Sequence, residues 1–139
     1  MRSLATIGDL LENGVTSTTP RESAQELLRL GEEVLEHWLQ AKGLKPTASK
    51  AEGFRLLGLH RQGAKGDPSF NACRETCREL VYHYNLITLE PDASEATQRL
   101  GMMRLVASHV YYFVSGKMQS AQLGEFCCSS RDLRLKQAS

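Results

Sequence analysis

Residues 68–89, PSFNACRETCRELVYHYNLITL, are the stretch whose periodicity decides the fold. Phe70, Cys73, Cys77, Leu80, Val81, Tyr84 and Ile87 recur at steps of three and four, which aligns them in one stripe of an α-helix. Arg74, Glu75, Arg78 and Glu79 fall outside that stripe. Asp67 is placed to cap the helix, and Pro68 suits its first turn, where a backbone N–H has no partner to lose. Pro91 ends it, because proline cannot continue the hydrogen-bond ladder. A helix with one oily side must bury that side against others.

Working outward, the same period recurs. Gly63 and Gly66 bracket a turn before the central helix. Ser49 is placed to cap a shorter helix reaching about Gln62, with Phe54, Leu56, Leu57 and Leu59 as its apolar set. Thr19 caps and Pro20 opens a long helix whose apolar face is Ala24, Leu27, Leu28, Gly31, Val34, Leu35 and Trp38. Glu22, Glu26, Glu32, Glu33 and Glu36 fill its solvated remainder, and Gly43 can end it. Residues 3–13 suit a short helix capped by Ser3 and closed by Gly14, and residues 15–19 a polar connector. After Pro91, residues 93–122 carry Leu100, Met103, Ala107, Val110, Val114, Met118 and Ala121 at nearly a seven-residue repeat, with Gly101 or Gly116 as a point of interruption. No segment alternates apolar and polar residues as a strand requires. The expectation is an all-α fold, a four-helix up-down bundle with a short extra N-terminal helix. It forms one domain over residues 1–122, followed by a tail over 123–139.

Composition excludes several classes. At 139 residues, 41% hydrophobic and 24% charged, the chain can bury a core without disulfide or metal support. No apolar run is long enough to span a bilayer, and Asp9 and Glu12 interrupt what would be the apolar part of an export signal. Four cysteines in that setting suggest free thiols in a cytoplasmic protein. Net charge is +1 but uneven. Residues 1–41 carry net −4, and residues 42–78 carry eight basic groups against three acidic ones. A basic middle can meet phosphate, or can be balanced by the acidic helix before it.

Two constellations carry chemistry. Cys73 and Cys77 share a helix face, with Cys127, Cys128, His60 and His83 elsewhere. No CxxC or His-x3-His spacing supports a metal site, so the helix thiols are expected in the core and no cofactor is expected. GAKGDPS, residues 63–69, lacks the strand and the Lys-Ser/Thr ending of a phosphate loop. The second constellation is Arg78 with His83. Arginine can grip a phosphate with two N–H groups, and histidine can move a proton near neutral pH. Cleaving RNA with its own 2′-hydroxyl as nucleophile needs those two roles. Residues five apart on a straight helix lie about 140° apart around its axis, so one copy does not converge them but two copies across a symmetric dimer can.

RELVYHY, residues 78–84, resembles the Arg-x4-6-His motif of HEPN domains, and LEHWLQAKGLKPTASKAEGFRLL, residues 35–57, resembles the helix–loop–helix that precedes it there. Glu79 stands where catalytic members usually have asparagine or aspartate. Arg104 and His109 repeat the spacing with apolar Leu105 in the polar slot, so Arg78 and His83 carry the resemblance. It implies a helical bundle, a homodimer and a protein that interacts with RNA or nucleotides. In catalytic members it implies a metal-independent endoribonuclease, with Arg78 and His83 as the catalytic pair. The alternative is a non-enzymatic helical module that binds a protein partner through its amphipathic surfaces.

Overall fold

A computed structural model describes residues 1–14 and 19–121. Among them the chain forms α1 (Leu4–Asn13), α2 (Pro20–Ala41), α3 (Arg55–Ala64), a 3-10 helix (Pro68–Cys73), α4 (Arg74–Leu89) and α5 (Ala96–Ala121). The fold is all-α: the described residues contain no strand, only an isolated bridge between Ala51 and Phe54. The long helices α2, α4 and α5 each pack against the other two. Short α3 lies against α2 and α4, and α1 against α2 and α5. This is consistent with the expected up-and-down bundle.

The expected caps explain where the first helices begin and end. The Ser3 hydroxyl accepts from the Thr6 N–H at 3.2 Å, and the Thr19 hydroxyl accepts from the Glu22 N–H at 3.1 Å. Gly43 takes φ +78° just past α2. The N–H groups of Gly43 and Leu44 then donate back to Gln40 and Leu39, both at 2.9 Å. Only a residue without a Cβ takes that conformation cheaply. The apolar stripes go inside: Ala24, Leu27, Val34, Leu35 and Trp38 from α2, Phe70, Cys73, Cys77, Leu80, Val81 and Ile87 around α4, and Met103, Ala107, Val110, Val114 and Met118 from α5 are buried, with Tyr84 half-buried.

Four expectations need correction. The central stretch is two elements, because Pro68 opens a tight turn in which Phe70 N–H donates to Asp67 C=O. The Asp67 carboxylate accepts from the Ser69 hydroxyl and caps nothing. Ser49 does not start α3. Glu52 and Gly53 both take positive φ, +53° and +85°, with Ala51 and Phe54 exchanging backbone hydrogen bonds at 3.0 Å. That tight reversal delays the helix to Arg55, and for a residue with a side chain such as Glu52 the conformation costs roughly 1 kcal/mol. Gly63 lies inside α3, and neither Gly101 nor Gly116 interrupts α5. The tail over 123–139 and most of the 15–19 connector lie outside the described residues.

The fourth correction concerns charge. Glu33 and Glu36 are 3% and 7% exposed. Glu33 accepts from the Arg2 backbone at 2.8 Å and its guanidinium at 2.7 Å. Glu36 accepts from Arg29 at 2.8 Å and Arg55 at 2.7 Å, and Arg2 also pairs with Glu26. Periodicity placed these acids on the outside. Arg2 and Arg55 lie on segments that fold over α2, and Arg29 reaches along α2 itself, so each carboxylate leaves water only because a guanidinium replaces it.

Candidate functional site

The loop between α2 and α3 is fixed before it can position anything. The Gln62 amide accepts from Thr47 N–H at 2.8 Å and donates to Lys45 C=O at 2.9 Å. Arg55 Nε donates to Thr47 C=O at 2.9 Å. These bonds set the Glu52–Gly53 reversal beside the start of α4, where the Arg78 guanidinium donates to Glu52 Oε1 at 3.0 Å. The partner of Arg78 is therefore Glu52, not Glu75 or Glu79, its neighbours on the helix.

Behind this ion pair is a cavity of ≈160 Å³ with Glu52, His60, Arg61, Asn71, Arg74 and Arg78 in its lining. A groove on the other side of Ala51, Arg61 and Ala64 adds Lys50 and Lys65. Arg61, Arg74, Lys50 and Lys65 have no carboxylate within ion-pair distance among the described residues. Among the described residues Glu52 is the only acidic side chain in either lining. Part of the basic middle is indeed balanced by the acidic helix, since Arg55 pairs with Glu36. Lys50, Arg61, Lys65, Arg74 and Arg78 gather at this mouth, while Lys42 lies over the Trp38 ring.

His83 does not line that cavity. It sits five residues along an unbroken α4, so about 140° of helix rotation separates it from Arg78. Its Nδ1 is buried with no hydrogen-bond partner among the described residues, and Tyr82 meets its ring edge-on at 5.5 Å. One chain thus brings Arg78 together with Arg61 and Arg74 and leaves His83 apart. On α5, His109 is exposed and Arg104 half-buried.

Cys73 and Cys77 are both buried, as the stripe required. The Cys73 thiol donates to Phe70 C=O at 3.4 Å, and His60 Nε2–H donates to the same oxygen at 3.1 Å. A hydrogen bond from Cys77, assisted by His60, pulls the Cys73 thiol below its ordinary range. That same contact, with burial, pushes Cys77 up. Among the described residues no three histidine, cysteine or acidic side chains gather as a metal would need. Cys127 and Cys128 lie outside those residues.

Sequence reading reached Arg78 and His83 but missed Glu52, Arg61 and Arg74 as a group. The available signal was Gly53, a residue that punctuates the chain, between two basic stretches. Among the described residues no helix is long and apolar enough to cross a membrane. Compared with known proteins, the chain matches no family model, no curated protein and no solved structure.

Proposed function

We propose that this is a small helical, HEPN-like protein that binds RNA or nucleotides, with the basic mouth beside α4 as its phosphate-binding surface and Arg78 within it. The observation that carries this reading is the set of cations without counter-ions among the described residues, Lys50, Arg61, Lys65 and Arg74, along a cavity and its adjoining groove whose described linings hold a single carboxylate. Surplus positive charge on a fixed scaffold attracts a polyanion by releasing its counter-ions. Fluorescence anisotropy with single-stranded RNA in 50 mM salt tests it. Binding should weaken as salt rises, and the Arg61→Ala/Arg74→Ala double variant should flatten the log–log salt slope by about 1.4. RNA that stays free at micromolar protein removes the RNA form of the reading. The buried, free thiols Cys73 and Cys77 fit the cytoplasmic setting proposed with it.

His83 supports a second, catalytic version, because its Nδ1 is buried and has no partner among the described residues. In that version two copies join, and His83 serves as acid or base opposite an Arg78. The same RNA, recovered from the anisotropy samples and run on a gel, distinguishes the two. Cleavage that His83→Ala abolishes selects the nuclease; intact RNA selects binding alone.

A homodimer is part of the proposal, but its surface is not the stripe read from sequence. Met103, Ala107, Val110, Val114 and Met118 are occupied within the chain. The opposite side of α5 leaves Met102, Leu105 and Tyr112 exposed. These sit at steps of three and seven, the seam of a helix pair. Sedimentation at micromolar concentration should give a dimer, and Leu105→Glu a monomer. An unchanged mass for both would rule this surface out.

A further inference from the structure

We infer that the cavity at the start of α4 is a phosphomonoester site and that Glu52 occupies its entrance as a built-in competitor. This deepens the phosphate-binding reading above and rests on it. Three arginines, Arg61 from α3 with Arg74 and Arg78 from α4, line one cavity of ≈160 Å³. Arg74 and Arg78 are four residues apart on the helix, where like charges repel. Among the described residues only Arg78 of the three has a counter-ion, and that is Glu52. A terminal phosphate carries close to two negative charges and three free oxygens, so it can accept from three guanidinium forks at once. An internal phosphodiester offers two such oxygens and one charge. The Asn71 side chain, also in the lining, adds an amide donor.

Glu52 itself is in an unfavourable place. It stands at φ +53°, followed by Gly53 at +85°, in a reversal that asparagine followed by glycine fits better. Backbone strain of this kind clusters at sites that bind or switch. Here the glutamate supplies a carboxylate that lies 3.0 Å from Arg78 and lines the cavity. Its side chain is more than half exposed, so it can leave without unpacking anything. A carboxylate held against an arginine by a surface ion pair is weakly bound. An incoming phosphate displaces it and takes its place on Arg78.

The test uses the full chain and three probes: a decaribonucleotide with a 5′-phosphate, the same oligonucleotide with a 5′-hydroxyl, and adenosine monophosphate. Wild-type protein should prefer the 5′-phosphate form. Glu52→Asn should bind it roughly fivefold more tightly, the upper range for loss of one competing surface pair. It should also melt roughly 2 °C higher, because asparagine tolerates the left-handed conformation. Glu52→Gln should show the affinity gain without the thermal gain, and Arg78→Ala should lose the preference. If Glu52→Asn lowers both affinity and melting temperature, Glu52 is only a structural brace and the inference fails. Equal binding of the two oligonucleotides also defeats it, while leaving RNA binding intact. If neither oligonucleotide binds but adenosine monophosphate does, and more tightly with Glu52→Asn, the site stands with free nucleotides as its ligand and RNA binding falls. If none of the three probes binds, both are overturned.

Discussion

Phe70→Ala is expected to cost about 4 kcal/mol of stability, in the range for emptying a fully buried aromatic position. Phe70 is completely inaccessible. Its ring stacks on Trp38 of α2 at 5.3 Å and 15° and on His60 of α3 at 5.3 Å and 27°. It meets Phe113 of α5 edge-on at 5.8 Å. One side chain therefore joins three helices, α2, α3 and α5. The surrounding groups come from different elements and are themselves rigid rings, so the hole cannot close by a local shift. A chain of this size should melt roughly 12 °C lower. Urea titration followed by circular dichroism measures the loss; a cost below about 1 kcal/mol would mean that the cluster is not the centre of the core. Phe70→Leu should recover more than half, since it refills most of the volume.

Gly58→Ala should be the second largest effect, at about 3 kcal/mol destabilising, which is the strong end for an added methyl group in a packed site. On an open helix the sign is opposite, because alanine is the better helix former by roughly 1 kcal/mol. Here a Cβ on Gly58 would stand 2.1 Å from the Ser49 carbonyl oxygen and 3.0 Å from its carbon. That neighbour is backbone. It cannot swing aside without breaking the bonds by which Gln62 and Arg55 hold residues 45–47. A Cβ added to Gly101, in α5, would meet nothing within 4 Å, so Gly101→Ala supplies the internal control. Thermal melts that move in the same direction for both would show that the contact between α3 and its preceding loop is not tight.

The contrast between these glycines shows how much was legible in the sequence. Apolar spacing of three and four is a property of neighbours on one helix, so the stripes through Ala24–Trp38 and Phe70–Ile87, and the caps at Ser3 and Thr19, could be read from the chain alone. The burial of Glu36 could not, because it depends on Arg29 and Arg55 meeting over it, and Arg55 arrives from nineteen residues away. The start of α3 was misplaced for a related reason. Ser49 has the right chemistry for a cap, but the reversal at Glu52 and Gly53 intervenes. The site followed the same pattern. Arg78 stood out through a local motif, whereas its association with Arg61, Arg74 and Glu52 exists only after α3 is laid against α4.

The burial of Cys73 and Cys77, at 2% and 0% exposure, makes them timekeepers of the native state. With Cys127 and Cys128 changed to serine, an alkylating reagent has no target until α4 lifts away from its neighbours. The labelling rate then reports how often that lifting occurs. Comparing it with and without an occupant beside Arg74 would show whether filling the mouth of the bundle quiets its interior.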